Sequence, residues 1–155
     1  MGASGSKGRP CRVFFVVAAG AFALDQLTKA AAREWVDPAQ PIGLVGNWVR
    51  LTRVHNTGSA FGLVSSGWVL VLVGVLVSVA VLGYVVTRRG LATEPGRALP
   101  LGLVLGGSLG NLLDRLRTGG VTDFIDLRVW PVFNLADVGI TVAVALLAVG
   151  LIRPR

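Results

Sequence analysis

Apolar runs about twenty residues long and nearly free of charge constrain this chain more than any other feature. From Gly67 to Thr87 no residue is charged and most are Val or Leu. A helix that is hydrophobic all round has no polar face to turn toward water, and about 20 such residues are what a helix needs to span a bilayer core. Similar runs recur before and after it. Of the 155 residues, 53% are hydrophobic and 15% charged, and the mean hydropathy is +0.70. Soluble domains carry about 25% charged residues. Four spans fill roughly half of the chain, which leaves room for a single membrane domain over 1–155 and no separate soluble one.

Along the chain, Met1 to Pro10 reads as a disordered tail rich in Gly, Ser, Lys and Arg. The run Val13–Leu24 after Lys7, Arg9 and Arg12 has the layout of a signal peptide. Yet DQLTKAAAREW continues a helical pattern and offers no small-residue cleavage site, so a retained first span is expected over 12–34. Residues 37–66 hold Pro38, Pro41 and the alternation Trp48-Val49-Arg50-Leu51-Thr52-Arg53-Val54, whose period of two predicts short strands outside the membrane. The second span is Gly67–Thr87, with Trp68 and Tyr84 as interface anchors near its ends. The third is Ala98–Arg115 and the fourth Ala136–Ile152, separated by an extramembrane stretch from Leu116 to Phe133.

Charge orients these spans and removes several function classes. Lys7, Arg9, Arg12, Arg88, Arg89, Arg97, Arg153 and Arg155 flank spans on one side, accompanied by one acid, Glu94. The positive-inside rule puts that side, with both termini, in the cytoplasm. The net charge of +7 does not point to nucleic acid, because the bases sit at span ends and form no aromatic-interleaved patch. Cys11 and His55 are the only residues of their types. A disulfide framework and a Cys-based metal site are therefore out of reach, and a zinc peptidase is disfavoured. His55 reads as an ordinary polar loop residue, and no cofactor is implied.

The acids are placed unusually. Asp114, Asp123, Asp126 and Asp137 fall within 24 positions beside apolar segments, where a carboxylate costs at least a few kcal/mol. Asp123, next to Phe124 and Ile125 in an expected strand, and Asp137, opening the fourth helix after Asn134, form the sharpest pair. An acid in a first helical turn also serves as a cap. If the two carboxyls converge, one keeps a proton while the other takes one from water, the arrangement of aspartic proteases. Asp25 and Lys29 sit four apart on one helical face and read as mutual neutralisation. Asp114 and Arg115 read as a helix-end ion pair, whereas the amide of Asn111 at membrane depth needs partners. Gly102, Gly106 and Gly110 make a small-residue stripe for close helix approach, and Gly107 lies on the face beside it. Other functions fit parts of the pattern. A Ser–Lys dyad would join Lys29 to Ser59, Ser65, Ser66 or Ser108. A proton-coupled transporter would relay through Asp25, Asp114 and Asp123. An assembly protein would pack through the glycine stripe.

Five ordered blocks carry a resemblance: Asp25-Gln-Leu-Thr-Lys29, Asn56-Thr-Gly-Ser-Ala-Phe-Gly62, Gly106-Gly-Ser-Leu-Gly-Asn-Leu-Leu-Asp-Arg115, Val121-Thr-Asp-Phe-Ile-Asp126 and Phe133-Asn-Leu-Ala-Asp137. Together they resemble the motifs of the signal peptidase II (lipoprotein signal peptidase) family over about residues 12 to 152. The resemblance implies an all-α membrane protein of four transmembrane helices with a small extracytoplasmic β-rich cradle. It implies an aspartyl endopeptidase of the bacterial inner membrane, working at its outer face on prolipoproteins, that cuts before the diacylglyceryl-cysteine. By motif, Asp123 and Asp137 would be the dyad. Asp25, Lys29, Asn56, Gly107, Asn111, Asp114, Arg115, Asn134 and Ala136 would support it or hold substrate. The expected partners are lipidated signal peptides and membrane phospholipid, with the chain a monomer. Ser59 departs from the pattern, where the family more often has alanine.

Overall fold

A computed structural model of the chain describes residues 9–46, 48–58, 67–88 and 95–152. Ser59, Ser65, Ser66, most of the expected tail and the end of the Asn56–Gly62 block lie outside the described residues. Four helices and three strands follow one another as α1 (Arg9–Trp35), β1 (Ile42–Val45), β2 (Val49–Asn56), α2 (Gly67–Thr87), α3 (Pro95–Thr118), β3 (Val121–Asp126) and α4 (Leu135–Ile152). All four expected spans are helical, with boundaries within three residues of those anticipated.

The expected four spans are not equally clear. Two helices, Arg12–Trp35 and Gly67–Thr87, are long and apolar enough to cross a membrane, while the apolar part of α4, Leu135–Gly150, is shorter. Polar residues serving the site interrupt α3, and the site also claims the start of α4. The fold is mostly helical, and the small β-rich part expected beside the helices is a three-stranded antiparallel sheet ordered β1-β2-β3 at one end. Two of its strands come from the 37–66 segment. The third is β3, which begins 65 positions after the end of β2, so the sheet ties the chain's two halves together.

Helix α3 is central: it packs against α1, α2 and α4. Its glycines explain why. A Cβ at Gly102 would lie 2.8 Å from Phe14 O, one at Gly106 would clash with Ala18 O, and one at Gly110 would meet the Asp25 carboxylate. The stripe is therefore consumed within the chain by α1 and is not free for an assembly partner. Gly107 faces the other way, where a Cβ would come 3.0 Å from Ala136 O and Ile140 Cγ1 of α4. Phe14, Ala18, Val85, Ala98, Leu101 and Leu105 form the core between helices, and Ala32, Val36 and Phe124 seal the end of α1 to the sheet.

Candidate active site

The site begins where β3 ends. After Asp126 the chain turns back, and Phe133 pairs with Ile125 as an isolated antiparallel bridge. Phe133 O accepts from the N–H groups of Phe124 at 3.0 Å and Ile125 at 2.8 Å. That return places Asn134, the next residue, beside Asp123. Asn134 also starts α4: its Oδ1 accepts from the Asp137 N–H at 3.1 Å, and Asp137 Oδ2 accepts from the Asn134 N–H at 3.2 Å. This reciprocal pair is a capping box with aspartate in the glutamate position. The capping role expected for Asp137 is thus present, but it engages only one carboxylate oxygen.

The other contacts bring the two carboxyls together. Asn134 Nδ2 donates to Asp123 Oδ1 at 2.6 Å, so one asparagine bridges Asp123 and Asp137. Asn56 Nδ2, on β2, donates to Asp123 Oδ2 at 2.9 Å. Asn111 Nδ2, on α3, donates to Asp137 Oδ1 at 2.9 Å. Each carboxylate therefore has both oxygens held. Asp123 is only 2% exposed whereas Asp137 is half-buried. Burial pushes the Asp123 carboxyl above its ordinary 3.8; the nearby charge of Asp137 adds to this, and the two amide donors and Lys29 oppose it.

Behind the pair lies a buried ionic network. Lys29 and Asp25 are fully buried. Lys29 Nζ lies 2.8 Å from Asp25 Oδ2 and 3.3 Å from Asp114 Oδ2, and it donates to Asn111 Oδ1 at 2.7 Å. The ammonium therefore fixes the Asn111 amide with its nitrogen toward Asp137. Asp25 Oδ1 accepts from the Ala136 N–H at 3.1 Å, so a carboxylate from α1 sits on the positive first turn of α4. Ala136 thus contributes its backbone. The Asp25–Lys29 pair is more than the mutual neutralisation expected.

The expected Asp114–Arg115 pair is not found. Asp114 Oδ1 faces Arg33 at 3.9 Å, and its Oδ2 accepts from the Thr122 N–H at 3.2 Å. Neighbouring residues on a helix diverge by about 100°, and Asp114 takes the side facing α1. Arg115 instead donates to Asn111 O at 3.4 Å, and its charge acts on Asp137, Asp123 and Asp114. With Lys29 held by Asp25, Asp114 and Asn111, a Ser–Lys dyad through Ser108 has no support. His55 lies in β2, not in a loop.

Sequence reasoning missed Gln26, Arg33 and the role of Asp126. Gln26 Nε2 lies within 3.2 Å of Asp25 Oδ2 and Gly110 O and 3.3 Å from Asp114 Oδ1. Arg33 continues the Asp25–Lys29 stripe one turn on, a signal the spacing contained. Asp126 is structural, accepting from Arg128 N at 2.8 Å, Arg50 Nη2 at 2.9 Å and Thr52 Oγ1 at 3.0 Å. These bonds, the Arg128 N–H foremost, hold its carboxyl below the ordinary 3.8.

Beside Asp137 opens an apolar cleft of about 350 Å³ lined by Leu127, Trp130, Phe133, Val138, Thr141 and Val142. The family profile described as Signal peptidase (SPase) II matches residues 17–153, which includes every side chain of the site. The chain belongs to the signal peptidase II family. It is 45% identical over 141 residues to the lipoprotein signal peptidase of Moorella thermoacetica, covering 91% of this chain and 93% of that protein. It is 40% identical to the one from Geobacter sulfurreducens over 148 residues, covering 92% of each. Two solved structures of a bacterial membrane enzyme share the fold at 24% identity. Their TM-scores are 0.80 and 0.82, and they cover 89% and 92% of this chain against 86% and 94% of theirs. As a signal peptidase II the chain is a protease, and the transporter and assembly functions fall away.

Proposed function

We propose that this signal peptidase II cuts the signal peptide from prolipoproteins just before the diacylglyceryl-cysteine, using Asp123 and Asp137 as an aspartyl dyad. The observation that carries the proposal is the bridge by Asn134, which holds two carboxyls from separate elements on one residue. Asp137 stands in the first turn of α4 and is half-exposed, where water can reach it. Buried Asp123 keeps the shared proton. Asp137 takes a proton from water as its oxygen attacks the scissile carbonyl, and Asp123 donates to the carbonyl oxygen. The tetrahedral diol then collapses: the C–N bond breaks, the amine of the cysteine leaves with the proton Asp137 acquired, and a diol proton returns to Asp123.

The setting suits a lipid-anchored substrate. Charge-free residues 98–113 of α3 reach about 24 Å and the 18 residues of α4 about 27 Å, close to the hydrocarbon thickness. Four spans with both termini in the cytoplasm put the sheet and dyad at the outer face. Trp35, Trp48, Trp68 and Trp130, 68–77% exposed, all lie at that end, as interface anchors do. The cleft beside Asp137 is apolar enough for signal-peptide side chains or an acyl chain, and phospholipid surrounds the monomer. Reconstituted enzyme with Asp123→Asn or Asp137→Asn is expected to lose cleavage of a lipidated prolipoprotein by at least about a thousandfold. Near-normal turnover by either variant would remove that residue from the dyad.

A further inference from the structure

A second cleft, of about 440 Å³, lies behind the sheet and is built from Arg33 of α1, Arg53 and His55 of β2, Thr118 of α3 and Thr122 of β3. Thr122 and Asp123 are adjacent in β3, so their side chains leave the sheet on opposite faces. Pro38 and Val54 complete the lining, and neither Asp123 nor Asp137 belongs to it. His55 and Thr122 are cross-strand partners. Arg33 Nη1 donates to Thr122 Oγ1 at 3.0 Å, which leaves the threonine's own hydroxyl proton available. Arg53 Nη1 donates to the backbone O of Arg33. Among the described residues each guanidinium thus makes its contacts through Nη1, out of a five-donor fork.

The charge in this cleft is poorly compensated. Asp114 lies 3.9 Å from Arg33, and it is already engaged by Lys29 at 3.3 Å. Among the described residues no carboxylate comes within ion-pairing distance of Arg53 or His55. Two planar guanidinium forks, an imidazole and the Thr122 hydroxyl converging from α1, β2 and β3 match the oxygens of a phosphate. Trp35, 76% exposed, ends the helix that carries Arg33, which sets the cleft at the level of an interface anchor. We propose that this cleft binds the phosphodiester of an anionic phospholipid headgroup.

The test uses the full chain purified in dodecyl maltoside, with native mass spectrometry after addition of equal dioleoyl phosphatidylglycerol and dioleoyl phosphatidylcholine. The wild type is expected to retain the anionic lipid about tenfold over the zwitterionic one. The double variant Arg33→Gln/Arg53→Gln should lose that preference, and the exposed control Arg117→Gln should keep it. Because Arg33 also holds Thr122, Arg53→Gln alone provides a milder variant, expected to lower the preference about threefold, with Arg53→Lys restoring part of it. Equal retention of the two lipids, or an unchanged preference in both glutamine variants, overturns the site. Displacement of the lipid by millimolar inorganic phosphate reassigns the ligand to the free anion and overturns the headgroup source. Asp137→Asn should retain the lipid preference, so failure of the peptidase proposal and failure of this one are separable.

Discussion

Asn134 concentrates most of the site's geometry in one side chain. Its Oδ1 caps α4, its Nδ2 holds Asp123 and its N–H holds Asp137. Asn134→Ala is expected to cost about 1 kcal/mol of stability through the lost cap, and to lower kcat by one hundredfold or more while KM changes little. A kinetic assay that found KM alone affected would remove Asn134 from the positioning of the proposed dyad. Asp126 behaves oppositely to Asp123, because its carboxyl is held below 3.8 while Asp123 lies above it. A depressed carboxyl adds stability that is present above its unfolded value and lost as pH falls through its folded one. The stability difference between wild type and Asp126→Asn should thus be largest at neutral pH and shrink below about 3.8. Chemical denaturation across that window checks the sign. For Asp123 the raised value predicts that it keeps its proton, and the enzyme its activity, above the usual carboxylate range. A pH–rate profile whose basic limb fell near 3.8 would contradict this. At this scale the sequence marked the two aspartates through their motifs. It could not show that Asn134 joins them, since that depends on Phe133 pairing with Ile125.

Elements meet here through absent side chains. Gly106 lets the α3 backbone lie against Ala18 O of α1, a contact that a Cβ would turn into a clash. Gly106→Leu should separate the two helices, destabilise the protein by about 1–3 kcal/mol or more, and pull Lys29 away from Asn111. Thermal unfolding in detergent, compared with Gly83→Leu on α2, where a Cβ meets nothing within 4 Å, separates packing from loss of helix propensity. The four-residue spacing of Gly102, Gly106 and Gly110 was legible in the sequence as a surface for close helix approach. The identity of the approaching helix was not, because spacing along one helix says nothing about which partner fills the groove.

The whole molecule is a polar switchyard held between apolar helices, and of its eight acids only Glu94 falls in the sequence between α2 and α3. That asymmetry sets the expected topology. In a Cys11→Ser background, Gln40→Cys should react with a membrane-impermeant thiol reagent added outside intact cells, and Arg97→Cys only after lysis. The reverse pattern would invert the orientation and overturn the proposed outer-face site. The number of helices could be read from hydropathy, as could the strands of the 37–66 segment. The participation of β3 in the same sheet could not.

Local chemistry along the chain determined where helices and strands form, because hydropathy period and charge-free length act over a few turns. It also singled out the residue types able to do acid–base work. Only tertiary structure decided that Asp114 turns to Lys29 and Arg33 in place of Arg115, that Asp25 caps a helix 110 residues away, and that Asp123 and Asp137 share Asn134. Those are contacts between distant segments, and they are fixed by how helices and sheet pack, which no local spacing encodes.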